Sequence, residues 1–186
     1  IRSNKITFLP GEEIRASPLV FDQVKRDMQT EVKMAIISPE AKVLKSIETD
    51  DEIVYRIKED AKPGEYLIKA EKDSLKEQKK IIVTEKKKLD VSLSGDRVKI
   101  KNTGNVKYNE QATTILNNGK GEYVISTYIS LLPGEEMEVD LSKEVPEDDY
   151  DITLPAESSG EEQKTVRSQH IKDNRSLAKK MGLTSV

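Results

Sequence analysis

Apolar and polar side chains alternate with a period of two along most of this chain. In "EIVYRIKE" (residues 52–59) Ile53, Tyr55 and Ile57 fall on one face, and Val54, Arg56 and Lys58 on the other. "EYLIKAEK" repeats the pattern with Tyr66, Ile68 and Ala70. Such alternation predicts half-buried strands. Between these two runs Pro63-Gly64 marks a turn. A further strand is predicted at "KKIIVTE", and upstream ones at "KITF", around "EIRASPLVF", at "EVKMAIIS" and around "KVLKSIE".

Seven strands in about 85 residues is the number an immunoglobulin-like sandwich needs. The rest of the chain repeats the pattern. Shifted by 84 residues, Ile53, Tyr55 and Ile57 fall on Met137, Val139 and Leu141, while Tyr66, Ile68 and Ala70 fall on Tyr150, Ile152 and Leu154. With one further residue of offset, "EQKKIIV" from Glu77 falls on "EQKTVRS" from Glu162. Apolar positions persist while surface positions differ, as two copies of one fold should behave. The expected architecture is all-β: two consecutive immunoglobulin-like β-sandwiches, residues 1–86 and 87–171, then a short helical or disordered tail, 172–186.

The pentapeptide "LPGEE" occurs at residues 9–13 and 132–136. That spacing does not match the 84-residue period, so it reads as a reused turn: Pro presets φ, Gly permits positive φ, and the acids solvate the bend. Tyr66 and Tyr150 each stand where a turn enters the penultimate strand. At that spot sandwiches often place a buried ring whose hydroxyl bonds back to the turn's backbone; the alternative is an inward aromatic without that bond.

In the second half, "LDVSLSGDRVKIKNTGNVKYNEQATTILNN" reads as three strands with turns at Gly95-Asp96 and at residues 103–105. The next strand sets Tyr123, Ile125, Thr127 and Ile129 against Val124, Ser126, Tyr128 and Ser130. "TEKKKLD" links the halves with no Gly or Pro, which predicts a restricted angle between them. In the tail, Leu177, Lys180 and Met181 are spaced for a short helix after a cap at Asp173 or Asn174, too brief to be stable alone.

Composition narrows the functional classes. Charged residues make up 35% of the chain, but 31 cations nearly balance 34 anions, so nucleic acid is not an expected partner. The Lys-rich stretches at 76–80 and 86–88 are flanked by acids and read as solvated surface. Without cysteine there is no thiol nucleophile, thiolate zinc site or disulfide. No apolar run approaches the length of a membrane span. The chain starts at Ile1 without methionine, so any membrane attachment is expected through segments outside this sequence.

Two stretches carry a family resemblance. "GDRVKIKNTGNVKY", "LLPGEEMEVDL" and "DYDIT" are similar to prokaryotic cell-adhesion-related Ig-like domains, with the "NTGN" turn at 102–105 and the "L-x-P-G-E" turn at 131–135. "LPGEEIRA", "IISPEAKVL" and "AKPGEYLIKA" resemble the macroglobulin-type Ig-like domains of surface proteins. The likeness spans about residues 5–170 and implies fold and not chemistry; the second half departs from it in having "PEDDY" where Pro-Gly is expected before Tyr150.

Catalytic chemistry is not legible. The single histidine, His170, sits in the last predicted strand or the tail and reads as exposed and idle. "GKGE" at 119–122 is a hairpin turn without phosphate-loop spacing. The acidic runs 49–52 and 146–151 offer oxygen ligands without calcium-loop spacing. "NRS" at 174–176 is the one N-x-S/T sequon. No catalytic, cofactor-binding or metal residue is assigned, and no cofactor is expected. The expected role is non-enzymatic: a spacer, adhesion or protein-docking segment in the extracytoplasmic part of a surface or membrane-anchored protein. The alternatives are an accessory module of a larger surface hydrolase and an assembly subunit of a membrane complex. Carbohydrate binding is weaker, since there is no tryptophan platform.

Overall fold

The computed structural model describes residues 1–158 and 160–181. It divides into two compact units, Ile1–Lys86 and Lys87–Val186. Each is an all-β sandwich, and each is described by itself.

Unit 1 runs β1 (Arg2–Ser3), β2 (Thr7–Phe8), β3 (Glu13–Ser17), β4 (Val32–Ile37), β5 (Val43–Thr49), β6 (Ile53–Arg56), β7 (Gly64–Lys72) and β8 (Leu75–Val83). One sheet has the order β1-β3-β6 and the other β2-β8-β7-β4-β5. Ile14, Ala16 and Ile53 from the first sheet meet Met34, Ile36, Tyr66, Ile68 and Ile81 from the second in one buried cluster.

Unit 2 runs β9 (Leu89–Ser94), β10 (Arg97–Asn102), β11 (Tyr108–Asn117), β12 (Glu122–Leu131), β13 (Glu136–Asp140), a 3₁₀ turn (Leu141–Lys143), β14 (Asp148–Thr153), β15 (Thr165–Ile171) and helix α1 (Leu177–Lys180). Its sheets are β13-β10-β9 and β12-β11-β14-β15. Strand for strand these orders match β6-β3-β1 and β5-β4-β7-β8 of unit 1. Leu89, Val91, Val98 and Ile100 close against Leu116, Ile129, Tyr150, Ile152 and Ile171.

Both tyrosines make the corner bond. Tyr66 Oη donates to the Lys62 carbonyl and Tyr150 Oη to the Pro146 carbonyl, each at 2.9 Å and each reaching four residues upstream. "PEDDY" therefore supports the same geometry as "KPGEY". Tyr150 is fully buried and meets the edge of Tyr123, with ring centroids 5.8 Å apart.

Four local readings are corrected. The strand expected at "KITF" shortens to β2, which pairs in parallel with β8, and a separate β1 precedes it and joins the β3 sheet. Asn4 makes the crossover, its side chain accepting from the Arg15 N–H at 3.1 Å and donating to the Glu13 carbonyl at 3.2 Å. The strand around "EIRASPLVF" stops at Ser17, because Pro18 has no N–H to continue the ladder. Residues 18–31 then form a loop pinned by the Asp22 carboxylate, which accepts from the Val24 and Arg26 N–H groups.

The last strand is displaced from its predicted match. Tyr66 stands opposite Ile81, but Tyr150 stands opposite Gln169, so the counterpart of Val83 is Ile171 and not Ser168. Two features absorb the extra residues. β7 and β8 turn on Asp73 and Ser74, whereas β14 and β15 are joined by a longer loop, and β15 carries a bulge opposite Asp151. There Ser168 takes φ 52° and donates its N–H to Asp151 Oδ1 at 2.9 Å. Finally, α1 is capped by Ser176 and not by Asp173 or Asn174. Asn174 N–H donates to the Ser142 carbonyl at 2.9 Å, tying this segment to the 3₁₀ turn. The expectation for residues 182–186 lies outside the described residues.

The corner bonds predict a specific loss. Tyr66→Phe and Tyr150→Phe keep the buried ring but strand a carbonyl, and each should destabilise its unit by about 1–2 kcal/mol. Denaturant unfolding of the two variants beside the parent chain checks this.

Candidate functional site

The polar residues singled out by the sequence go mainly into turns. In both "LPGEE" copies the glycine has positive φ, 87° at Gly11 and 83° at Gly134. The turns close through Glu12 N–H to the Leu9 carbonyl and Glu135 N–H to the Leu132 carbonyl. The first acid does more than solvate the bend. Glu12 Oε2 accepts from the Leu9 N–H at 2.9 Å, and Glu135 Oε2 from the Leu132 N–H at 2.7 Å. Each turn also zips two strands: Gly11 and Glu12 bond Ile57, while Gly134 and Glu135 bond Asn102. In unit 1 the start of β3 is thus joined to the end of β6; in unit 2 the start of β13 is joined to the end of β10. These are opposite ends of the equivalent antiparallel pair, which explains why the pentapeptides are out of period.

Asn102, in the "NTGN" stretch, is wholly buried. Its Nδ2 donates to the carbonyls of Val106 and Leu131, and its Oδ1 accepts from the Gly104 N–H, each at 2.9 Å. One amide thereby fixes the β10–β11 turn to the end of β12. Thr103 makes a longer contact, Oγ1 to the Lys88 carbonyl at 3.4 Å.

The acidic run at 146–151 engages side chains from neighbouring strands and turns. Asp148 accepts from the Asp149 N–H at 2.9 Å, Lys120 Nζ at 3.1 Å and Asn118 Nδ2 at 3.0 Å, and the Asp149 N–H bond, foremost, then Lys120, holds its carboxyl below the usual range. His170 lies on β15 and is exposed: Nδ1 is 2.9 Å from Asp149 Oδ1, and Nε2 is 3.5 Å from Glu147 Oε1. The Asp149 hydrogen bond, above all, raises the imidazole's pKa. Among the described residues no three acidic or histidine side chains converge as a metal site. The other run, 49–52, is dispersed: Thr49 Oγ1 accepts from the Asp51 N–H, and Glu52 faces Arg15 at 3.4 Å. At the sequon, Asn174 Nδ2 donates to Ser142 Oγ at 3.2 Å, so the nitrogen a glycan would join is already engaged.

One surface feature escaped the sequence reading. A groove of about 310 Å³ at one pole of unit 1 is lined by Leu19, Val20, Phe21, Lys72 and Leu75, among others. Phe21, Val24, Met28 and Leu75 are 47–68% exposed there or on the adjoining loop. Periodicity places Phe21 in a strand, whereas the strand ends at Ser17 and Phe21 lies in the loop that follows.

No family model and no curated protein sequence matches the chain. Solved structures give distant likenesses. Escherichia coli alpha-2-macroglobulin in its native conformation is 14% identical at a TM-score of 0.39, over 91% of this chain and 14% of that one. A two-domain fibronectin type III segment of chicken tenascin is 16% identical at 0.39, over 90% of this chain and 97% of that one. The FN1–FN3 domains of chicken CNTN1 are 12% identical at 0.30, over 91% and 65%. The chain thus spans only a small part of the macroglobulin.

Two expectations follow from the bonds. Asn102→Ala leaves buried backbone groups without partners and should cost at least about 2 kcal/mol, whereas Thr103→Ala should stay within about 0.5 kcal/mol; urea unfolding separates them. For His170, a raised folded-state pKa means its contribution to stability is full below the ordinary pKa of 6.5 and is lost as pH rises through the folded value. Asp149→Asn should move the imidazole pKa down toward that ordinary value, read by NMR titration of the ring protons.

Proposed function

We propose that this chain is a tandem of two copies of one fold, serving as a non-enzymatic, extracytoplasmic spacer, adhesion or docking segment of a surface or membrane-anchored protein. The observation that carries the reading is where the conspicuous side chains go. Tyr66, Tyr150, Asn102, Glu12 and Glu135 each bond backbone at a turn. Side chains used this way hold strands in place and leave loops and sheet edges as the parts that meet a partner. The resemblance of the "NTGN", "LPGEE" and "KPGEY" stretches to surface Ig-like domains supports the location.

A second reading, an assembly subunit of a membrane complex, is favoured by the exposed apolar loop bearing Phe21, Val24 and Met28. It predicts that other chains co-purify with the natural protein and are lost on Phe21→Ser, a change that leaves the buried cluster untouched.

Location is tested on intact cells that express the natural protein with an epitope inserted in the 118–121 turn. Added protease should remove the epitope. An epitope removed only after lysis overturns the extracytoplasmic placement.

A further inference from the structure

The sheet edges of the two units are unequal. β2 covers the edge of β8. β5 carries Lys45 and Glu48, and its pairing with β4 shifts register between Ile36 and Ile37. β6 has Arg56, β9 has Asp90, and β13 has Glu136, Glu138 and Asp140. β15 has Arg167 and the bulge at Ser168. Charges and bulges of this kind keep an edge from recruiting another strand.

β12 lacks them. It is 10 residues long and pairs with β11 over its whole length without a register shift. After Glu122 no charged residue occurs until Glu135, in a chain of which 35% is charged. Its composition (Tyr, Val, Ile, Ser, Thr, Leu) is rich in good strand formers. Val124 and Tyr128, on the solvent face, are 58% and 62% exposed. The neighbouring positions on β11, Gln111, Thr113 and Ile115, are also uncharged.

We propose that β12 pairs antiparallel with β12 of a second copy of this chain, joining two β12-β11-β14-β15 sheets into one continuous sheet. A two-fold axis at Thr127 sets Ser126 opposite Tyr128, Ile125 opposite Ile129, Val124 opposite Ser130 and Tyr123 opposite Leu131. Inward side chains meet inward ones, and outward meet outward. Strand self-pairing brings residues near the axis close to their own copies, so a charge there would face its like. β12 carries none near Thr127. The interface is isologous and closes at two chains, so it does not propagate into fibres. The inference rests on the fold and not on the location proposed above; an epitope protected from protease would leave it standing.

Sedimentation of the whole chain from low to high micromolar concentration tests it. The parent should show a reversible monomer–dimer equilibrium. Ser126→Lys and Ser126→Glu, both at an exposed position, should each sediment as monomer with an unchanged circular dichroism spectrum and melt. An equimolar mixture of the two should recover the dimer. Because the chain has no cysteine, Thr127→Cys gives a clean register check. Opposed residues in an antiparallel pair have Cα atoms about 4.5–5.5 Å apart, within disulfide reach, so mild oxidation should crosslink that variant. A parent chain that stays monomeric throughout, or a dimer that persists in Ser126→Lys, overturns the proposal.

Discussion

A buried tyrosine hydroxyl donating to the carbonyl four residues upstream is the bond on which each sandwich turns. The ring packs in the buried cluster, and the hydroxyl fixes the connection that crosses from one sheet to the other. In unit 1 that crossing leads from β6 to β7, and in unit 2 from β13 to β14. With aromatics at 4% and no disulfide, neither core can hold its loops by bulk alone. Directional bonds from a few side chains take that role, and each has a net worth of about 1 kcal/mol, so several are needed.

The remaining turn bonds extend the same economy of parts. Glu12 and Glu135 hold the two Pro-Gly bends from inside, and each bend hands its glycine N–H to the neighbouring strand. Asn102 ties three backbone groups to one buried amide. Asp22, Asp140 and Asp151 each accept backbone N–H groups in loops or at bulges. Acids that looked like solvated surface in the sequence are thus partly built into the backbone. What is left facing solvent is a set of exposed ion pairs, and pairs of that kind contribute little each.

The alternation of apolar residues made the strands and the sandwich class legible, and the matched tyrosines made the corner legible. Both are local signals repeated at a fixed spacing. Features set by non-local pairing were not. The crossover at Asn4 depends on Arg15 and Glu13 across a sheet. The match of the last strand was misled by the identical Glu-Gln-Lys triplets at 77 and 162, because a loop and a bulge change the register while the triplets do not. Phe21 read as strand since periodicity cannot register that Pro18 breaks the ladder. The contact of His170 with Asp149 was not legible because Asp149 lies on the adjacent strand. The uncharged stretch of β12 was visible as a sequence, but only the sheet order reveals that it is an edge.

The most direct test of this account follows the tyrosines themselves. Burial, foremost, pushes the Tyr150 phenol up to about 12 and raises that of Tyr66. In a chain with ring-labelled tyrosine, assigned by single Tyr→Phe variants, NMR should show both rings still protonated where an ordinary phenol has ionised. Their signals should then change together with unfolding. Either ring titrating near pH 10 in the folded chain would show that its hydroxyl is open to solvent, and would contradict the corner on which both sandwiches are built.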